Sequence, residues 1–163
     1  MTPNDTFILS QVADIAGVPR NTLRDWLRRD YFGIKRTKGW TRFRIDEVAI
    51  IGVYADVLKR TKGDHELALA ACKSAYGAFS TQVLQEERTA NNFHAVLHAT
   101  RDDDGTLRTW ISDSNQASME YFEEVSTSHP DCPVHFWVDL ASSFMAVFVR
   151  ASEISKANGD EDE

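Results

Sequence analysis

Basic and amide side chains recur at helical spacing near the start of this 163-residue chain. Asn21, Arg24, Asp25 and Arg28 fall three or four residues apart, so a helix would carry them on one side. An arginine guanidinium can donate two hydrogen bonds to guanine, and an asparagine amide can pair with adenine. Arg20, at the start of the helix, is placed to meet a base edge or a phosphate. This face is therefore a candidate for binding DNA in the major groove; the alternative is a solvated basic surface.

A second basic stretch follows within twenty residues. Its β-branched and aromatic residues around two glycines predict a β-hairpin over residues 33–45, with the turn near Lys38 and Gly39. The density of positive charge is typical of a ribbon that lies along a phosphate backbone or in a minor groove. Phe43 is expected to face the core, whereas Trp40 could pack on the helices or rest on a sugar-phosphate edge. The candidate DNA-binding residues of this hairpin are Lys35, Arg36, Lys38, Trp40, Arg42 and Arg44.

Three short helices must position these side chains. Ser10 is a suitable cap for a first helix that ends at Gly17, and Pro19 suits the start of a second helix that reaches Asp30. The apolar residues of that second helix have helical spacing, so the two helices and the turn between them form a helix-turn-helix. Asp46 is predicted to cap a third helix that extends to about residue 61.

The charge is unevenly distributed along the chain, although the total is −7. Residues 1–62 contain twelve Lys and Arg against seven Asp and Glu, a net charge of +5. Residues 63–163 contain six against eighteen, a net charge of −12. This asymmetry indicates one module that faces a polyanion and another that stays away from it.

The periodicity predicts an α+β fold with four parts. A winged helix-turn-helix domain spans residues 7–62, and a connecting or dimerisation helix lies within residues 63–90. Residues 91–156 form a small α/β module, and residues 157–163 form a disordered acidic tail. Within the module we expect a hairpin of residues 93–100 and 107–111, a helix of residues 114–125 and a strand of residues 134–140. A last helix, capped by Ser142, is expected to end at residue 155.

Two segments in the first 58 residues resemble a known family. Residues 12–24 (VADIAGVPRNTLR) are similar to the helix–turn–recognition-helix signature of the MerR regulators and the related phage excisionases. Residues 39–48 (GWTRFRIDEV) are similar to the wing of these proteins and the entry to their next helix. The resemblance implies that Arg20, Thr22 and Arg24 approach DNA from the recognition helix. It also implies that Trp40 and Arg42 contact the DNA backbone.

The chain departs from the family pattern at three places. Asp25 and Trp26 stand where the family usually has two aromatic residues, and Thr41 stands where its wing often has arginine. The helix that begins near Asp64 leads into a mixed α/β segment instead of a long coiled coil.

These patterns favour a sequence-specific DNA-binding regulator that acts as a dimer, since one short recognition helix reads few base pairs. An excisionase-like recombination factor and a protein-interaction module that docks a basic partner are the alternatives. The aromatic residues of the C-terminal module build a core or line an effector pocket for a small molecule or a protein. We expect no cofactor, no enzymatic activity, no membrane span and a cytoplasmic location. The cluster of His129, Cys132 and His135 lacks the fourth ligand of a closed zinc site.

Overall fold

A computed structural model describes residues 6–34, 42–83, 96–101, 104–112 and 135–159. The N-terminal part contains strand β1 (Thr6–Ile8), helices α1 (Leu9–Ala16) and α2 (Arg20–Arg28), strand β2 (Arg42–Arg44) and helix α3 (Ile45–Arg60). Helix α4 (His65–Val83) follows, then strands β3 (Val96–Arg101), β4 (Leu107–Ser112) and β5 (His135–Asp139). The last element is helix α5 (Leu140–Gly159). The predicted α+β class and N-terminal helix-turn-helix are confirmed.

The ends of the first helices follow their local sequence with small shifts. Helix α1 ends where predicted, because Gly17 adopts a left-handed φ of 65° and the Val18 N–H bonds to the Ala13 carbonyl. Its start is two residues earlier than predicted: Ile8, not Ser10, is the N-cap residue, and the Gln11 side chain accepts the free N–H of Ile8 at 2.9 Å. Helix α3 also begins two residues early. There Glu47 accepts the Arg44 N–H at 2.8 Å, and the predicted cap Asp46 lies inside the first turn.

The predicted hairpin of residues 33–45 is described only in its second half. That half, β2, pairs antiparallel with β1, and Phe7 lies opposite Phe43. Both phenylalanines are buried, so the prediction that Phe43 faces the core is confirmed. Strand β1, which begins at Thr6, was not predicted from the sequence. The turn near Lys38 and Gly39 lies outside the described residues.

The second sheet has the strand order β4-β3-β5, and both pairings are antiparallel. The predicted hairpin and the predicted strand of residues 134–140 are therefore confirmed. In β3, Val96 to Thr100 are all buried, including His98 at 2% exposure, so neither side of this strand faces solvent. The strand lies between β4 and β5 and also contacts the helices α4 and α5, so its apolar and its polar side chains are both shielded from solvent.

Helix α4 is tied to the second sheet by an arginine. Asp64 accepts the Leu67 N–H at 3.0 Å and thereby caps the helix. Its other oxygen accepts from Arg101 of β3 at 2.8 Å, and Arg101 also pairs with Glu66 at 2.8 Å. Partial burial raises the pKa of Asp64, but the Leu67 N–H and the Arg101 guanidinium lower it by more. The pKa of Asp64 therefore lies below its ordinary value.

Helix α5 begins three residues earlier than predicted and is capped by Asp139, not by Ser142. The Asp139 carboxylate accepts the Ser142 N–H at 3.0 Å and the Ser142 hydroxyl at 2.6 Å, so Ser142 lies in the first turn. The helix also extends to Gly159, into the segment expected to be a tail. It packs against α3 and the end of α1, and one buried cluster runs from Phe7 to Ala151.

The helix predicted over residues 114–125 and the region of the predicted boundary near residues 89–92 lie outside the described residues. Among the described helices, none is both long enough and apolar enough to cross a membrane.

Candidate nucleic-acid interface

Helix α2 has a buried side and a charged side. Pro19 precedes its first turn with an extended backbone, which suits the fixed φ of proline. Leu23, Trp26 and Leu27 are buried, and the ring of Trp26 lies edge-on to that of Tyr54 of α3, with centroids 4.8 Å apart. This packing fixes the rotation of α2 about its axis, so the opposite side must face solvent.

The exposed side of α2 carries the residues that the sequence places there. Its fully exposed members are Arg20, Asn21, Arg24, Asp25 and Arg28, while Thr22 is half-buried. Arg24 donates to the Asn21 side-chain oxygen at 3.3 Å, and Arg28 pairs with Asp25 at 2.8 Å. These contacts are between exposed side chains and are weak in water, so they orient the donors without locking them.

Strand β2 adds two arginines with different surroundings. The side chains of Arg42 and Arg44 are both exposed, because they flank the buried Phe43. Arg42 donates to the Thr6 hydroxyl at 3.4 Å. Arg44 donates two hydrogen bonds to the Asp46 carboxylate, at 3.0 and 2.6 Å, and its charge is thereby compensated. Arg42 is the better candidate of the two for a phosphate contact.

The arginines of α2 and those of β2 lie on two elements that both contact α1. Four candidates from the sequence, Lys35, Arg36, Lys38 and Trp40, lie outside the described residues. Their roles stay predictions.

The structure adds charged residues that the sequence did not single out. Arg29 is fully exposed at the end of α2 and donates to the Tyr31 hydroxyl at 3.2 Å, which raises the pKa of the guanidinium. Asp46 is the counter-charge of Arg44, whereas its position suggested only a helix cap. The position of Arg29 next to Arg28 could have indicated that Arg29 belongs to the charged surface. No local pattern indicated that Asp46 pairs with Arg44.

Residues 7–60 match the family described as MerR HTH family regulatory protein. The N-terminal domain is a MerR-type helix-turn-helix domain. The match covers α1, α2, β2 and α3, and so includes α2 and β2, which carry the arginines described above; it spans about a third of the chain. It indicates DNA binding in transcriptional regulation as the general role of this domain. Among curated proteins, no match to the chain was found.

Proposed function

We propose that this protein is a sequence-specific transcriptional regulator that binds double-stranded DNA as a homodimer. In this proposal α2 enters the major groove, and residues 35–44 form a wing that contacts the phosphate backbone. The observation that carries it is the exposed face of α2, where Asn21, Arg24 and Arg28 project opposite the buried Leu23 and Leu27. A helix about 10–12 Å wide fits the major groove, where these side chain types can distinguish base pairs.

The distribution of charge supports the same arrangement. The positive N-terminal part would lie on the polyanion, and the negative charge of the C-terminal part would keep it away from the DNA. A dimer doubles the number of base pairs that are read, and its two-fold axis requires an inverted repeat in the DNA. The protein in this proposal is cytoplasmic and has no enzymatic activity.

The test is the selection of bound fragments from genomic DNA with the full-length protein. The proposal expects enriched sites with inverted symmetry, and affinity for them that falls steeply as salt rises. The slope of log K against log salt should be roughly −0.9 for each phosphate contacted. Fragments without any shared sequence, together with salt-independent binding, would contradict DNA recognition.

The symmetry of the selected sites separates the alternatives. Tandem repeats with bent DNA would favour the excisionase-like recombination factor, whose resemblance covers the same residues. The net charge of −12 beyond residue 62 favours a second function, docking of a basic protein. A protein-interaction module would bind such a partner and show no preference among DNA sequences.

A further inference from the structure

Helix α5 reaches the turn of the helix-turn-helix through three contacts on successive turns. The Ser143 hydroxyl donates to Asp56 of α3 at 2.6 Å, and Val147 packs on Gly52 of the same helix. One turn later, Arg150 donates to the backbone carbonyl of Ile15, in the last turn of α1, at 3.0 Å. The C-terminal helix is therefore connected to the segment that sets the angle between α1 and α2.

A cleft of about 600 Å³ opens between this turn, α3 and α5. The volume lies within the range of small-molecule sites in proteins. Part of its wall is apolar: Ala16, Val18, Trp26, Ala55, Leu58, Ala146 and Val147. Its charged members are Asp14, Asp56, Lys59, Lys62 and Arg150.

The charges in the cleft favour an anion. Asp56 is compensated, because it pairs with Arg60 at 2.9 Å and accepts from Ser143. The remaining charges of the lining are one carboxylate, Asp14, and three cations, and within the described part of the chain neither Lys59 nor Lys62 forms an ion pair. A ligand with an apolar body and one negative group would match both the walls and the charge.

The binding of such a ligand would affect the turn of the helix-turn-helix directly, through Arg150. Its guanidinium donates to a neutral carbonyl, whereas a carboxylate would offer it a full opposite charge and a bidentate pair. A carboxylate in the cleft would therefore draw Arg150 away from Ile15 and leave the end of α1 without this contact. Gly17 lies beside the same guanidinium, since a Cβ on it would be 3.8 Å from Arg150 Nη1.

We propose that this cleft binds a small carboxylate with an apolar body, and that Arg150 transmits the binding to the helix-turn-helix. Ligand binding stands independently of DNA recognition, whereas its effect on DNA affinity rests on the proposed function. Because the ligand separates Arg150 from Ile15, it lowers the affinity for selected DNA.

The test uses 2-naphthoate and its uncharged analogue 2-naphthamide on the full chain. We expect naphthoate to bind at least about tenfold more tightly in calorimetry, because only the anion pairs with Arg150 and the lysines. In amide NMR spectra it should shift the signals of Gly17 and Val18. Equal binding of the two compounds, no binding at millimolar concentration, or shifts confined to other residues would each overturn the site.

Variants separate the charge effect from loss of folding. Arg150→Met should weaken naphthoate about tenfold, leave naphthamide unchanged and abolish the effect of naphthoate on DNA. The double variant Lys59→Gln/Lys62→Gln changes only exposed side chains and should also weaken naphthoate. Lys156→Met, on the same helix outside the cleft, is the matched control and should change nothing. Unaltered naphthoate binding in the double variant and in a folded Arg150→Met protein would refute the anion site. A protein that binds naphthoate but no DNA would instead refute the proposed function.

Discussion

Gly52 of α3 and Val147 of α5 meet where the two helices cross. A Cβ atom built on Gly52 would lie well inside the contact distance of two carbon atoms from Val147 Cγ2. The absence of a side chain at position 52 thus allows the C-terminal helix to approach the DNA-binding domain closely.

We expect Gly52→Ala to destabilise the protein by about 1–2 kcal/mol, although alanine is the better helix former. The added methyl group must displace the stiff Val147 side chain, which costs more than the gain in helix propensity. The free energy of unfolding in urea measures the effect. The control is the same change in a Val147→Ala protein, where it should be neutral or stabilising; equal destabilisation in both backgrounds would argue against this contact.

Arg24→Ala should reduce discrimination between selected and random DNA by about ten- to hundredfold, because a bidentate contact to one base is lost. Affinities for both DNAs at one salt concentration provide the measurement. Lys156→Ala removes the same charge from the last turn of α5 and should not alter discrimination. If Arg24→Ala binds its preferred site as the unchanged protein does, α2 is not the recognition helix.

Lys38→Ala should weaken binding to all sequences about equally, since the predicted wing contacts phosphates and not base edges. The slope of log K against log salt should become shallower by about 1. Titrations of selected and random DNA at several salt concentrations provide both numbers. A loss of sequence preference without a change in slope would place Lys38 on a base.

Asp46→Asn should raise affinity for random DNA about two- to fivefold at low salt, because it releases Arg44 from its counter-charge. The same change in an Arg44→Met protein is the control and should give a smaller increase, due only to the lost negative charge. Equal increases in the two backgrounds would show that Arg44 does not reach the DNA.

The pH dependence of stability should report the contact between Asp64 and Arg101. A carboxyl group whose pKa is lowered in the folded state stabilises the protein above its ordinary pKa, and this contribution disappears as pH falls through the folded value. We expect Asp64→Asn to cost about 1 kcal/mol near neutral pH and progressively less below about pH 4. Asparagine remains a good helix cap, so the variant tests mainly the charge.

Urea unfolding of both proteins across this pH range measures the difference. Glu66→Gln removes a second carboxylate that pairs with Arg101; the Glu66 side chain is 63% exposed, so this change should have a smaller effect. A cost for Asp64→Asn that does not change with pH would rule out ionisation as its cause.

The elements that depend on local sequence were predictable. The spacing of Leu23 and Leu27 defined the buried side of α2 and hence its exposed arginines, and Gly17 marked the end of α1. Strand β1 was missed, because three residues with one buried side chain give no periodicity, and the strand it pairs with among the described residues is about 36 positions away.

The contacts of α5 could not be predicted from the sequence either. Nothing near Arg150 indicates that it binds the Ile15 carbonyl, and nothing near Ser143 indicates Asp56. The two halves looked like separate modules because composition and periodicity describe each segment by itself. Packing between segments far apart in the chain depends on the complementary shapes of their surfaces, which cannot be derived from a single sequence.

The separation of these partners also affects synthesis on the ribosome. Ile15 and Arg150 are 135 positions apart, so the helix-turn-helix emerges long before α5 exists to cover it. The ribosome typically adds about 5–20 residues per second, so the surface of α3 around Gly52 remains exposed to solvent for roughly five to twenty seconds. During that interval an apolar strip of the nascent chain is accessible to chaperones, and it becomes buried once α5 has been synthesised and packs on α3.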